Sequence, residues 1–187
     1  MYSVRDAVEA FVRLAKAELP GDAVLAPPGE ACEIQRVPGI LLQGPRFEEN
    51  RARRTMAKQV EKDAESLEFE EREYPRFYHL DFDVIATAAT AADLIDLAAG
   101  AASFFARRRE IEIPPDGDRL ALSELAPVGG LARVNLSDLK QASGRCRVED
   151  CAVYGGGAVQ GRLVVDRVFD YSGPEIGESR THGPQEE

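Results

Sequence analysis

The chain has 187 residues, which suits one domain, and a chain of this length buries roughly 70% of its unfolded surface without a metal or disulfide staple. With 44% hydrophobic and 30% charged residues it reads as a globular chain in water. It has no apolar run able to span a bilayer and no apolar signal-peptide core after Met1, so the expectation is a cytoplasmic protein without membrane contact. A formal net charge of −10 argues against general duplex-DNA binding, which needs clustered Lys and Arg on phosphates, and favours solubility and protein partners.

The first helix is predicted over residues 3–19. Val4, Val8, Phe11, Ala15 and Leu19 recur at spacings of three and four, and Ser3 with Asp6 forms a start signal close to a capping box. Pro20-Gly21-Asp22 ends it, and a loop carrying Pro27, Pro28 and Gly29 follows. A short strand is expected at 40–43, closed by Gly44-Pro45.

Residues 46–73 are expected to form an exposed charged arm, as a long hairpin or as a loop with a short helix. The first half is basic (Arg46, Arg51, Arg53, Arg54, Lys58) and the second acidic (Glu61, Asp63, Glu65, Glu68, Glu70, Glu71, Glu73). So few apolar residues cannot build a core. The plain alternative is a solvated, mobile loop. In the sharper one, the arm orders when a neighbouring copy supplies the opposite charge, basic half against acidic half. On that view Arg51, Arg53, Arg54, Lys58, Glu68, Glu70 and Glu71 are partner-binding residues.

Tyr74-Pro75 leads into the main strand, where Tyr78, Leu80, Phe82, Val84 and Ala86 alternate with His79, Asp81 and Asp83. A period of two marks a strand with one buried face. Thr90 and Asp93 repeat the helix-start signature, and a helix is predicted over 90–109 with Leu94, Leu97, Ala98, Ala101, Phe104 and Phe105 on its inner face. Arg107, Arg108 and Arg109 fall in its last turn. The helix dipole favours cations there; the functional alternative sets these three arginines on a subunit interface or channel wall. Residues 110–113 form a strand with Ile111 and Ile113 on one face, before the turn Pro114-Pro115-Asp116-Gly117-Asp118. Short strands follow at 120–125 and 131–136, broken by Pro127, Gly129 and Gly130. Residues 145–154 and 162–171 are expected to pair as strands across Gly155-Gly156-Gly157. A polar tail, 172–187, is expected to be disordered. The fold class is α+β: a mostly antiparallel sheet with two main helices on one face, in one domain over 1–171 with the 46–73 arm inserted.

Catalytic motifs are scarce. Gly155-Gly156-Gly157 lacks the Gly-Lys-Ser/Thr of a phosphate loop. No serine sits in Gly-x-Ser-x-Gly. Cys32, Cys146 and Cys151 read as reduced structural thiols; the last two, five apart on a strand, should face opposite sides, and only His79 and His182 could complete a zinc site. Asp81 and Asp83 share a strand face and could hold a divalent metal with His79 or Glu112, or be the polar face of a half-exposed strand. No catalytic residue, cofactor or metal is assigned.

The 3–19 helix, the charged arm, the 74–86 strand feeding the 90–109 helix, and the string Gly-Arg-Cys-Arg-Val-Glu-Asp-Cys-Ala-Val-Tyr at 144–154 together resemble the tail-terminator, or tail-completion, proteins of long-tailed bacteriophages and the related caps of contractile injection systems. The resemblance covers roughly residues 3–171 in pattern and order. It implies a structural protein with no catalytic residues. Six copies would form a ring that caps the tail tube, stops its growth and offers a surface to the head–tail connector. DNA would pass through a lumen without specific recognition, and the protein would be cytoplasmic during assembly and then part of the virion. The alternatives are a generic bacterial oligomerising adaptor and a small metal-dependent hydrolase or nuclease.

Overall fold

The structure, a computed structural model, describes residues 2–28, 37–63, 68–115, 117–133 and 138–162. The expected tail at 172–187, strand residues 163–171, Cys32 and His182 lie outside them. Two helices, α1 (Val4–Glu18) and α2 (Ala91–Arg107), cover one face of a six-stranded sheet. Its order is β1 (Asp22–Ala26), β2 (Gly39–Glu49), β5 (Arg76–Ala88), β8 (Lys140–Val153), β7 (Asp118–Arg133) and β6 (Glu110–Ile113). A second sheet joins β3 (Lys58–Asp63), β4 (Glu68–Glu73) and β9 (Val159–Arg162). Every pairing is antiparallel except β1 with β2. The fold class is the α+β arrangement that the sequence predicts.

Both helices start on the signals read from the sequence. Ser3 accepts from the Asp6 amide, and the Asp6 carboxylate accepts from the Ser3 amide at 2.8 Å, a full capping box. Thr90 caps α2 through the Asp93 amide. Alanines let α1 approach the sheet closely: Ala7, Ala10 and Ala15 are buried beside Phe11, whose ring centroid lies 4.9 Å from that of Phe82. Helix α1 packs on both edge strands, β1 and β6, and on β8 between them, so the sheet curls around it. Helix α2 lies over β5, β7 and β8. Leu80, Phe82, Val84 and Ala86 of β5 are fully buried beneath the helices, as the period of two requires.

Several boundaries depart from the sequence expectation, for identifiable reasons. Strand β1 stands where only a loop was expected; its partner, β2, lies about seventeen residues ahead, as Asp22 opposite Gly39 shows. Strand β2 does not close at Gly44-Pro45 but runs to Glu49 through a register shift between Gln43 and Arg46. Proline lacks the N–H a ladder needs, so it is confined to bulges and edges, and Pro45 lies in that shift, just past the last β1–β2 pair at Gln43. In the same way the strand expected at 120–125 and the start of the one expected at 131–136 belong to one sixteen-residue strand, β7, with three register shifts against β8; residues 134–136 lie outside the described residues. Pro127 falls beyond the β6 pairing, which stops at Ala121. Gly144 of β8 faces that irregular stretch: a Cβ there would lie 2.7 Å from the Val128 amide nitrogen, so only glycine fits.

Among the described residues the partners of β8 are β5 and β7, and β9 pairs with β4. Of the strand expected at 162–171 only Arg162 is described, opposite Glu68; its expected pairing with 145–154 otherwise lies outside the described residues. A further expectation is corrected in β8. Cys146 and Cys151 do not face opposite sides; both are buried in the core. Asp150, at φ 56°, is the cause. Three steps of β8, from Val148 to Cys151, oppose two of β5, from Leu80 to Tyr78. This bulge shifts the alternation by one and turns Cys151 inward.

The Phe11–Phe82 contact joins α1 to the central strand. Truncation of Phe11 to alanine should cost about 3–5 kcal/mol, as for other fully buried aromatics, read as a lower urea midpoint with an unchanged slope.

Candidate functional site

The distinctive surface of this molecule is the charged arm and its root. Residues 46–49 belong to β2. A single 3-10 turn, Arg51–Arg53, then leads to the β3–β4 hairpin, and Tyr74 closes the excursion by donating its amide to the Ala57 carbonyl at 3.3 Å. Asn50 starts the turn, its side-chain oxygen accepting from the Ala52 amide.

The Asp150 bulge holds this root. Its carboxylate accepts from Asn50 Nδ2 at 2.7 Å and from Arg53 at 2.9 Å, and its amide donates to His79 Nδ1 at 3.4 Å. The Arg53 guanidinium stacks 3.8 Å above the Phe77 ring, a cation–π contact that adds to the ion pair. Burial opposes ionisation of Asp150, but hydrogen bonds from Asn50 and Arg53 outweigh it and hold the carboxyl below its ordinary value. Sequence reasoning missed Asp150 and Asn50; the sole signal was that aspartate tolerates the left-handed conformation better than most residues.

The predicted partner-binding residues fall into three groups. Arg53, Arg54 and Lys58, of the basic half, face acids of their own chain: Arg53 meets Asp150, Arg54 lies 3.9 Å from Glu49, and Lys58 bonds Glu71. Arg51 is exposed on the 3-10 turn. Glu68, Glu70 and Glu71 share β4, with Glu70 bonded to Arg72. Arg107, Arg108 and Arg109 end α2 far along the chain from the arm; Arg108 caps the helix and bonds Glu18 of α1 at 2.9 Å.

Asp81 and Asp83 do share the outer face of the sheet, but arginines occupy them. Arg147 forks onto Asp81 at 2.7 and 3.0 Å and also bonds Glu48. Asp83 accepts from Arg46 at 2.7 Å, with Arg145 at 3.5 Å. His79 is turned to the Asp150 bulge, and Glu112 lies on β6, three strands from β5. The four do not converge, and no group of three or more His, Cys, Asp or Glu residues gathers for a metal among the described residues. Burial pushes the Cys146 thiol up and the Cys151 thiol up to about 11, so neither is a thiolate at neutral pH. Among the described residues no helix is long and apolar enough to cross a membrane.

Asp150 ties the arm to acid stability. Its folded pKa is depressed, so its contribution is complete above the unfolded value, about 3.9, and is lost as pH falls through the folded one. Hydrogen exchange at residues 50–57 should therefore speed up below about pH 4 before amides of β5 and β8 do. Asp150→Asn should show the faster exchange already at pH 7.

No protein-family model matches the sequence, and no curated protein does. Among solved structures, the chain is similar to one described as the sheath/tube terminator, in its extended state, of PVC, an extracellular contractile injection system. The sequence identity is 13% and the TM-score 0.48. The likeness covers 92% of this chain, which spans 66% of the length of that one.

Proposed function

We propose that this chain is a structural subunit of a tail-type assembly: copies of it, six in the expected ring, close the end of a tail tube and present a face to the head–tail connector. It would catalyse no reaction. Its lumen would admit DNA without reading it, and its place would be the cytoplasm during assembly and the virion afterwards. Support comes from the order of helix, arm, strand, helix and late strand already described, and from one structural observation that carries the reading.

That observation is the β3–β4–β9 sheet. Every residue of β3 is exposed. Phe69 is its one aromatic residue among those described; it lies so close over Gly161 that a Cβ there would come within 2.5 Å of the ring. Val60 is 44% and Val159 63% exposed. Two or three strands without an apolar face or a supporting layer are marginal in water, and the described residues give this sheet neither, which supports the reading that it gains support from another surface. An arm that enters a different patch on the next copy makes a heterologous contact, the kind that closes into rings.

Replacing residues 58–73 by a two-residue Asn-Gly turn between Ala57 and Tyr74 tests this. The main sheet should keep its cooperative thermal transition, while light scattering and electron microscopy should show the rings of the intact chain lost. An intact chain that stays monomeric both alone and with tube ends, or a deletion variant that still forms rings, would count against the proposal.

A further inference from the structure

The structure points to the acceptor for the arm. A groove of about 750 Å³ runs between α1 and the free edge of β6. Five arginines wall it: Arg13 from α1, Arg107, Arg108 and Arg109 at the end of α2, and Arg119 from β7. Glu110 and Glu112 are the carboxylates in its lining. Arg108 is bonded to Glu18, and Arg119 lies 3.6 Å from Glu110. Arg13, Arg107 and Arg109 make no ion pair or hydrogen bond among the described residues. In a chain of net charge −10 this is a local surplus of positive charge. The helix dipole accounts for a cation in the last turn of α2, but it does not reach Arg13 or Arg119, which other elements bring to the same groove. Like charges gathered from three elements repel unless an anion lies among them.

The arm carries the matching excess. The register sets Glu61 directly opposite Glu70, and Asp63 opposite Glu68. Alternation puts all four on one face, and like charges directly across a ladder are destabilising. Arg72 relieves Glu70. Lys58 and Lys62 point to the other face by the same alternation, where Lys58 bonds Glu71. Arg72 lies on this same face, and the register sets Arg162 opposite Glu68; four acids against these two arginines leave the face net negative, while Arg53, Arg54 and Lys58 meet acids of their own chain at or near the root.

We propose that the acidic face of the β3–β4 hairpin of one copy docks in the arginine groove of a second copy. This rests on the self-assembly reading above and names its contact. Six-residue strands reach about 20 Å from the root. Within one molecule the hairpin leaves from β2 and β5, whereas the groove borders β6, beyond β8 and β7. Donor and acceptor are different patches, so each copy can give one arm and take one.

The test is a charge exchange between two variants. R107E/R109E reverses the groove, and E61K/E68K reverses the arm; all four positions are exposed. Thermal melts verify that both variants fold, and S-shaped light-scattering curves against concentration measure assembly. Each variant alone should assemble on the order of tenfold or more weakly than the parent. An equimolar mixture should regain assembly, because each reversed arm then meets a reversed groove. The parent's assembly should also weaken as salt rises. If the parent never self-associates, the assembly reading fails and this contact fails with it. If the parent assembles and both variants assemble equally well, the contact alone is wrong. Full assembly of R107E/R109E with loss of a single-stranded oligonucleotide that the parent binds would assign the groove to nucleic acid instead and overturn the proposal. Should a variant fail to fold, a disulfide between Arg109→Cys of one copy and Glu68→Cys of another decides the matter: its formation in the assembled protein supports the contact, and its absence overturns it.

Discussion

The arrangement depends on one extra residue in a strand. Where β8 takes three steps against two of β5, Asp150 enters the left-handed region and the alternation slips by one. The slip has consequences on both faces of the sheet. Inward, it places Cys151 in the core together with Cys146 and Val148, so the apolar cluster extends to the end of the strand. Outward, it frees an aspartate from the ladder and aims it at Asn50 and Arg53. A bulge of this kind re-aims a side chain and bends its strand. Here it joins the root of the arm to the central sheet, so the arm is held at its base although it has almost no core of its own.

Charge is divided by location in a way that the net value of −10 conceals. Across β2, β5 and β8 the outer face carries Arg46, Asp83 and Arg145 in one group and Glu48, Asp81 and Arg147 in another, each satisfied internally. The more exposed of these pairs, Arg46 and Arg145 on Asp83, contribute about 0–1 kcal/mol each, too little to hold a fold together; the Arg147–Asp81 fork is largely sheltered from water. Their effect is to hold both signs in register and leave little unbalanced charge on that face. Among the described residues, net charge collects in two other places: the hairpin face, where Glu61, Asp63, Glu68 and Glu70 outnumber Arg72 and Arg162, and the arginine groove. Electrostatic complementarity selects partner and register more than it adds affinity. On the proposed docking, two patches of opposite net charge beside a neutralised open sheet would supply that selection.

What the sequence disclosed was local. Ser3 with Asp6, Thr90 with Asp93, and the alternation through Leu80, Phe82, Val84 and Ala86 are short-range signals that tertiary packing reinforces, and they located both helices and the central strand. What it hid was non-local or depended on parity. Nothing near Asp22–Ala26 announces a parallel partner beginning at Gly39. Pro45 and Pro127 look like strand ends until it is known that β1 and β6 are short, leaving those stretches of β2 and β7 with one open edge. The two cysteines were assigned to opposite faces because the count of five assumed an unbroken pleat. At the site, the three consecutive arginines were visible as a charge run, yet Arg13 and Arg119 were not associated with them. Only the folding of α1 and β7 against the end of α2 brings the five together.

The arm then has a thermodynamic character that follows from its composition. Ordering a hairpin costs about 1–2 kcal/mol of backbone entropy per residue, and here little apolar burial offsets it. Hydrogen bonds along the ladder and the pairs Lys58–Glu71 and Arg72–Glu70 return a part, while the opposed acids subtract from it. Such an element lies near the point where folding and unfolding balance. A surface that binds only its ordered form shifts that balance by mass action, so ordering and docking become one step. On the proposed self-docking, the element that joins copies would be weakly stable in the free molecule and firm once the acceptor is at hand. The same weakness would then guard against premature association, since a free copy that seldom presents an ordered arm has an apparent affinity reduced by that fraction. The Asp150 anchor matters for this balance because its bonds to Asn50 and Arg53 restrict the root and do not reach the tip.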